Sequence, residues 1–225
     1  MKKDADLDRL IHRATKFPDP TPRLSALKEA LKATEESIEH LIDQYPTRSG
    51  RILAQKRMHQ DDVDLEILIL QKNTEELFPR VFRGGFLVSL WAVFESGIKD
   101  LAEYTRNQRN LPFGLQDLRG GDFLEQSERF FRATLQIEPF PEKGIRKRIE
   151  YLKGFRNAIA HHDGNILEMP KYFTQNGRHF YQEFSDFHHT FAVPTFEYNA
   201  ECIKITSQVS SKLAEAVYER LHPVV

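Results

Sequence analysis

Apolar residues recur at helical spacing through the first third of the chain. A stripe of leucine and isoleucine predicts one helix from Thr21 to just before Pro46. A second apolar series predicts a helix over about 60–77, and Pro79 with the glycine pair that follows indicates a break after it. Two such helices are typical of an antiparallel helical hairpin. We therefore expect residues 1–80 to form an N-terminal helical extension.

The strongest helical periodicity lies in the middle of the chain. Apolar residues from Phe86 to Tyr104 recur every three or four positions and predict a long, largely buried helix. A polar segment with several glycines, 106–121, is expected to be a loop. Asp122 with Glu125 three residues later resembles a capping box, so a further helix is expected to begin there.

The next predicted helix, about 142–161, carries the one local concentration of basic residues in the chain. These residues are Lys143, Arg146, Lys147, Arg148, Lys153 and Arg156. Four polar side chains lie close together at its end: Arg156, Asn157, His161 and His162. Leu152, Phe155 and Ile159 give the same segment an apolar face, which indicates that it packs against other elements. Asp163 and Gly164 predict a turn and a helix C-cap.

Aromatic and β-branched residues dominate from 164 to 205, where the helical pattern is interrupted. Residues 196–198 and 202–205 are expected to form a small β-hairpin, and Thr206 is expected to cap a last amphipathic helix. The predicted fold is all-α: a second domain, residues 81–225, is a helical bundle with this β-hairpin inserted near the C-terminus.

Composition limits the class of protein. The chain has 225 residues, a formal net charge of −1 and 40% hydrophobic residues, so it can bury a core but has no global basic surface for nucleic acid. The single Cys202 excludes an internal disulfide framework. Neither a secretory signal nor a membrane helix is expected, which predicts a cytoplasmic protein that does not bind membranes. The phenylalanine-rich stretch 172–198 favours core or dimer surface over a base-stacking platform.

The sequence Arg156-Asn157-Ala158-Ile159-Ala160-His161 resembles the Arg-(four to six)-His motif of HEPN domains. These are small helical domains, and many are metal-independent ribonucleases of toxin–antitoxin and anti-phage defence systems. The resemblance implies a HEPN-like up-and-down helical bundle, cleavage of RNA without any cofactor, and an antitoxin protein as a possible partner.

The residue types suit this chemistry. A histidine can take the proton of a ribose 2′-hydroxyl near neutral pH, and an arginine offers paired donors to a phosphate without losing its charge. His161 and Arg156 are therefore of the right types, and the resemblance implies that His161 is the base and Arg156 the phosphate-binding group. The resemblance further implies that Asn157 orients the site and that a polar residue of a neighbouring helix supports it. Glu95 and His162 are the candidates for support.

Helix geometry leaves open how Arg156 and His161 meet. Five residues turn a helix by about 500°, so the two side chains point about 140° apart, whereas Asn157 and His161 share a face. Either the arginine curls, or the helix loosens near Gly164, or a second chain completes the site. HEPN ribonucleases resemble the last case, because two subunits pair and their motifs share one cleft. A homodimer is expected on that basis.

Other interpretations stay open. Arg156 could form a structural salt bridge with Asp163, and Glu95 could pair with Lys99 on the helix surface. His161, His162 and Asp163, with the separate pair His188-His189, offer possible metal ligands, although their spacing matches no familiar zinc pattern. A helical module that binds RNA, a nucleotide or a partner protein without catalysis would also fit the sequence.

Overall fold

The computed structural model describes residues 11–56, 60–169, 171, 180–185 and 190–223. Within these residues the fold is all-α with a small antiparallel β-hairpin near the C-terminus, as predicted. The helices are α1 (Thr21–Lys56), α2 (Gln60–Lys72), α3 (Phe78–Arg109), α4 (Phe123–Leu135), α5 (Lys143–His162) and α6 (Phe196–Leu221). The strands are β1 (Tyr181–Ser185) and β2 (Thr190–Pro194). A π-helical segment, Asn73–Leu77, joins α2 to α3.

The chain divides into two compact units. The first comprises Met1–Ser25, Ala92–Lys147 and Ile205–Val225, and the second comprises Ala26–Trp91 and Arg148–Lys204. Helices α1, α3, α5 and α6 each contribute residues to both units. The predicted division into residues 1–80 and 81–225 stays a prediction. It falls inside α3, which runs through residue 80 without interruption.

In the first unit, the segment before α1 packs against the ends of two helices. Phe17 is buried, and its ring makes edge contacts with Tyr104 of α3 and Tyr218 of α6 at centroid distances of 5.3 and 5.2 Å. Pro20 lies directly against Gly97 of α3, where a Cβ atom would come within 2.6 Å of the proline Cβ. The absence of a side chain at Gly97 is therefore what allows this close approach.

In the second unit, α1 lies antiparallel to the run from the π-helical segment into α3. Tyr45 accepts a hydrogen bond from Asn73 at 2.9 Å, and about three turns earlier in α1 Glu35 forms a double ion pair with Arg83 at 2.9 and 2.7 Å. As the numbering falls along α1 it rises along the partner run, which defines the antiparallel arrangement. The predicted N-terminal helical hairpin is confirmed in this form.

Two predicted helix ends are wrong. The backbone stays helical through Pro46, and α1 continues to Lys56. Pro79 is the second residue of α3 and follows the π-helical segment, where the wider backbone ladder accommodates a residue that cannot donate a hydrogen bond. The glycine pair at 84 and 85 is also helical, so no break occurs there.

The predicted position of the β-hairpin is wrong as well. Residues 196–198 and 202–205 belong to α6, whose first turn is capped by the Thr195 hydroxyl, an acceptor 3.1 Å from the Tyr198 N–H. Tyr198, Cys202 and Ile205 are buried at helical spacing. The hairpin lies earlier, with Tyr181 opposite Pro194 and Ser185 opposite Thr190. Thr206, the predicted cap, lies inside α6.

Other local predictions are confirmed. The Asp122 carboxylate accepts hydrogen bonds from the N–H groups of Leu124 and Glu125 at 2.9 and 3.0 Å, and the Glu125 side chain accepts one from the Asp122 N–H at 3.1 Å. These bonds form the predicted capping box at the start of α4. Part of the phenylalanine-rich stretch 172–198 lies outside the described residues. Among its described residues, Tyr181, Phe191, Val193 and Tyr198 are buried, as expected for core.

One long helical run has an apolar composition. The helix Asp62–Arg109 contains an 18-residue window with a mean hydropathy of 1.3, of which 39% is buried. By length and composition it could cross a membrane, and core helices of water-soluble proteins pass the same test. The expected absence of a membrane helix stays a prediction.

Substituting two glycines of α3 should change stability in opposite directions. At Gly97 an alanine Cβ would clash with Pro20, so we expect G97A to lower the free energy of unfolding by about 1–3 kcal/mol. At Gly85 the same Cβ would meet nothing within 4 Å, so G85A should raise it by about 0.5–1 kcal/mol. Urea unfolding measures both, and equal effects would contradict the packing at Gly97.

The buried cysteine should be unreactive in the folded protein. Burial raises the pKa of the Cys202 thiol to about 12, so the reactive thiolate is scarce below that pH. We expect native protein at pH 8 to react with a thiol reagent only as fast as it unfolds, and urea to restore the rate of a free thiol. Fast labelling of native protein would contradict this burial.

Candidate functional site

The end of α5 is fixed by an apolar face. Ile149, Leu152, Phe155 and Ala158 recur every three residues and are buried. The ring of Phe155 lies 6.0 Å from that of Tyr181 in β1, so the hairpin packs against this face at Phe155. The residues predicted to act in catalysis lie between these buried positions or follow them. Arg156 and Asn157 are half-buried, and His161 and His162 are exposed.

The helix ends in the predicted turn. Asp163 and Gly164 have positive φ angles of 54° and 78°, and the Gly164 N–H donates to the Ala158 carbonyl at 2.9 Å. The Gly164 carbonyl then accepts a hydrogen bond from the Ala192 N–H of β2 at 2.8 Å. A side chain at Gly164 would meet the Ala192 carbonyl oxygen at 2.9 Å, so both the backbone angle and the space require glycine here.

Arg80 of α3 connects this turn to other elements of the second unit. Its guanidinium pairs with the Asp163 carboxylate and also donates to the Asp163 carbonyl at 3.0 Å. It lies 3.6 Å from the carboxylate of Glu76, a buried residue of the π-helical segment, and 3.7 Å above the ring of Phe191 in β2. One side chain therefore joins α3, the π-helical segment, the end of α5 and the hairpin.

The sequence interpretation missed Arg80 and Glu76. Arg80 lies 83 residues before Asp163, so no local spacing signals the contact. The predicted break at Pro79 also placed Arg80 outside any helix. The sequence signal that could have placed Arg80 in a helix is the apolar periodicity, which continues across Pro79 and indicates that α3 begins before residue 80.

Arg156 is held by its neighbour. Its Nη1 atom donates to the side-chain oxygen of Asn157 at 2.7 Å, and its guanidinium lies 6.0 Å from the ring of Trp91. Its Nε atom is buried and has no hydrogen-bond partner among the described residues. The sequence left open a structural salt bridge between Arg156 and Asp163. In the structure the Asp163 carboxylate pairs with Arg80 instead.

The helix geometry narrows the ways in which Arg156 and His161 can approach each other. Helix α5 stays regular through His162, so it does not loosen before His161. The hydrogen bond to Asn157 turns the Arg156 guanidinium towards the residue that shares a face with His161. The ring centroids of His161 and His162 lie 6.4 Å apart, with both rings in solvent. A curled arginine and a second chain remain as the two routes to a joint site.

Glu95 belongs to the other compact unit. Its carboxylate accepts a hydrogen bond from Lys99 at 2.6 Å, the i, i+4 ion pair that was the alternative to a role in the site. The structure therefore gives Glu95 an ordinary surface partner.

The basic concentration of α5 is partly neutralised. Arg146 pairs with Glu128 at 2.8 Å, and Arg148 pairs with Glu201 at 2.6 Å. These pairs lower the local positive charge available to a phosphate backbone. Within the described ranges, no group of three or more histidine, cysteine, aspartate or glutamate side chains is placed to hold a metal ion. His188 and His189 lie outside the described residues.

No protein-family model, curated protein or solved structure matches this chain.

Removing Arg80 should destabilise the protein far more than removing an exposed lysine. R80M would leave the buried Glu76 carboxylate without its cation, so we expect a loss of about 3 kcal/mol in the free energy of unfolding. K32M breaks an exposed pair with Glu29 and should change it by less than about 1 kcal/mol. Urea unfolding compares the two variants. A loss in R80M no larger than in K32M would show that the contacts of Arg80 do not stabilise the fold.

Proposed function

We propose that the protein is a metal-independent endoribonuclease of the HEPN type, acting as a toxin of a toxin–antitoxin or anti-phage system. The observation that carries the proposal is the end of α5. There the Arg156 guanidinium donates to Asn157, which shares a helix face with His161, and the exposed His161 and His162 end a helix whose following turn is held by Arg80. A rigid support for catalytic side chains is what such chemistry requires.

The proposed reaction uses each side chain in one role. His161 takes the proton from the ribose 2′-hydroxyl, and the 2′-oxygen attacks the adjacent phosphorus. Arg156 binds the phosphate oxygens as negative charge builds on them. The bond to the 5′-oxygen breaks, and that oxygen takes a proton from His162 in its imidazolium form or from water. The products are a 2′,3′-cyclic phosphate and a free 5′-hydroxyl.

The proposal includes partners. In the proposed assembly two copies pair so that their motifs share one cleft, and the second copy supplies groups that a single helix cannot present on one face. A cognate antitoxin protein would then hold the enzyme inactive in the cytoplasm. Glu95 is the supporting residue that the resemblance implies, and its carboxylate pairs with Lys99.

A non-catalytic helical module is the second candidate. The observation that favours it is the packing of Arg156, whose guanidinium lies near Trp91 and whose Nε atom is buried. The ion pairs of Arg146 and Arg148 point in the same direction, because they lower the charge that an RNA substrate would meet. Such a module would bind RNA, a nucleotide or a partner protein with the same surface and release it unchanged.

Ribonuclease assays with a chelator test the proposal. We expect wild-type protein to cleave single-stranded RNA in the presence of EDTA, and R156A and H161A to lose at least about 100-fold in rate, because each removes a direct participant. H40A removes an exposed histidine of α1 and should cleave like wild type. Expression of the wild type, but not of H161A, should arrest growth.

The outcomes separate the two candidates. Equal cleavage by wild type, R156A and H161A would mean that the motif is not catalytic, which contradicts the proposal. A stable complex with RNA that shows no turnover would favour the binding module.

A further inference from the structure

The outward face of α2 is apolar. Leu65 and Leu68 expose 56% and 62% of their surface, and Ile69 beside them exposes 43%. Their spacing of three and four residues places all three on one side of the helix. The opposite side carries the half-buried Val63 and Leu70 and the exposed Ile67, which exposes 45% of its surface. An exposed helix of a protein in water normally shows the reverse pattern, with polar residues outward, so this face has the composition of a surface that another molecule covers.

The charges around this face identify the kind of molecule. Acidic residues surround its first half, with Asp62 and Asp64 exposed and Glu66 half-buried, whereas Lys72 lies at the far end. An acidic border disfavours nucleic acid and anionic lipid surfaces. It suits a helix that runs in the opposite direction with the opposite order of charges. An antiparallel copy of α2 has that order.

We propose that α2 pairs with α2 of a second copy of this chain about a two-fold axis at Leu68. In this arrangement Leu68 contacts Leu68 of the other copy, and Asp64 lies opposite Lys72 of the other copy, because both lie four residues from the axis. Leu65 and Ile69 flank the axis on each copy. The interface is isologous, so each contact occurs twice.

This pairing goes beyond the proposed function and does not depend on RNA cleavage. Val81, which with Arg80, Ile159 and Asp163 lines a cavity of about 290 Å³ near the end of α5, lies about 20 Å along the helical run from Leu68. In an antiparallel pair about Leu68 the motifs of the two copies therefore lie on opposite sides of the axis, and the pairing is a contact separate from the cleft that the motifs would share.

Sedimentation velocity of the full chain tests the pairing. We expect wild type to form a dimer at concentrations of about 1–100 µM, and L68E to raise the dissociation constant at least about tenfold, because it places two carboxylates at the axis. L167E is the matched control. Leu167 exposes 85% of its surface in a short turn of the same unit, so that variant should pair like wild type. Helicity by circular dichroism verifies that each variant is folded.

A charge exchange tests the register. D64K and K72D each place like charges opposite one another and should weaken the dimer, and the double variant D64K/K72D should restore it. A double variant no better than the single ones would overturn the antiparallel register and the proposal with it.

Two further outcomes overturn the pairing: a wild-type monomer throughout the concentration range, and a monomer that instead floats with vesicles of phosphatidylserine and phosphatidylcholine. These results are distinguishable from a failure of the proposed function. A dimer that L68E breaks but that cleaves no RNA supports the pairing and counts against the ribonuclease. A monomer that cleaves RNA does the opposite.

Discussion

The contact on which the site depends is the one made by Arg80. Its guanidinium caps the turn after α5, faces the buried Glu76 carboxylate and stacks on Phe191. A cation enclosed in this way replaces lost hydration with hydrogen bonds, an ion pair and a π-face, and removing it would leave a buried carboxylate alone. Because Asp163 directly follows the two histidines, this contact sets where they lie relative to α3 and β2.

The sequence predicted local structure correctly where the stabilising contacts join residues a few positions apart. The capping box of Asp122, the bounds of α5 and the turn at Gly164 each involve residues a few positions apart, and all were predicted correctly. The helix break predicted at Pro79 is wrong because a π-helical segment precedes the proline, and no spacing rule predicts that segment from the sequence. The aromatic residues within 196–205 indicated a strand. The segment is helical, and its buried residues, such as Tyr198 and Cys202, lie four positions apart.

The candidate site was predicted in part. The sequence identified residues at one helix end, and the structure adds the bond that turns Arg156 towards the Asn157–His161 face. It could not predict the contact of Arg80 with Asp163, because 83 positions separate them, and the break predicted at Pro79 hid the i, i+4 pair of Arg80 with Glu76. It also left Glu95 with two roles, and the structure pairs that carboxylate with Lys99. Long-range ion pairs follow from the fold, so a single sequence holds little information about them.

The central claim is that Arg156 and His161 meet one RNA phosphate. Its most direct measurement is an NMR titration with a single-stranded oligonucleotide whose 2′-deoxy sugars prevent cleavage, which follows the Arg156 Nε–H and His161 ring signals together. The account predicts that both signals shift with one common dissociation constant, while the ring signals of His40 stay in place. Binding that leaves either signal unmoved would contradict it.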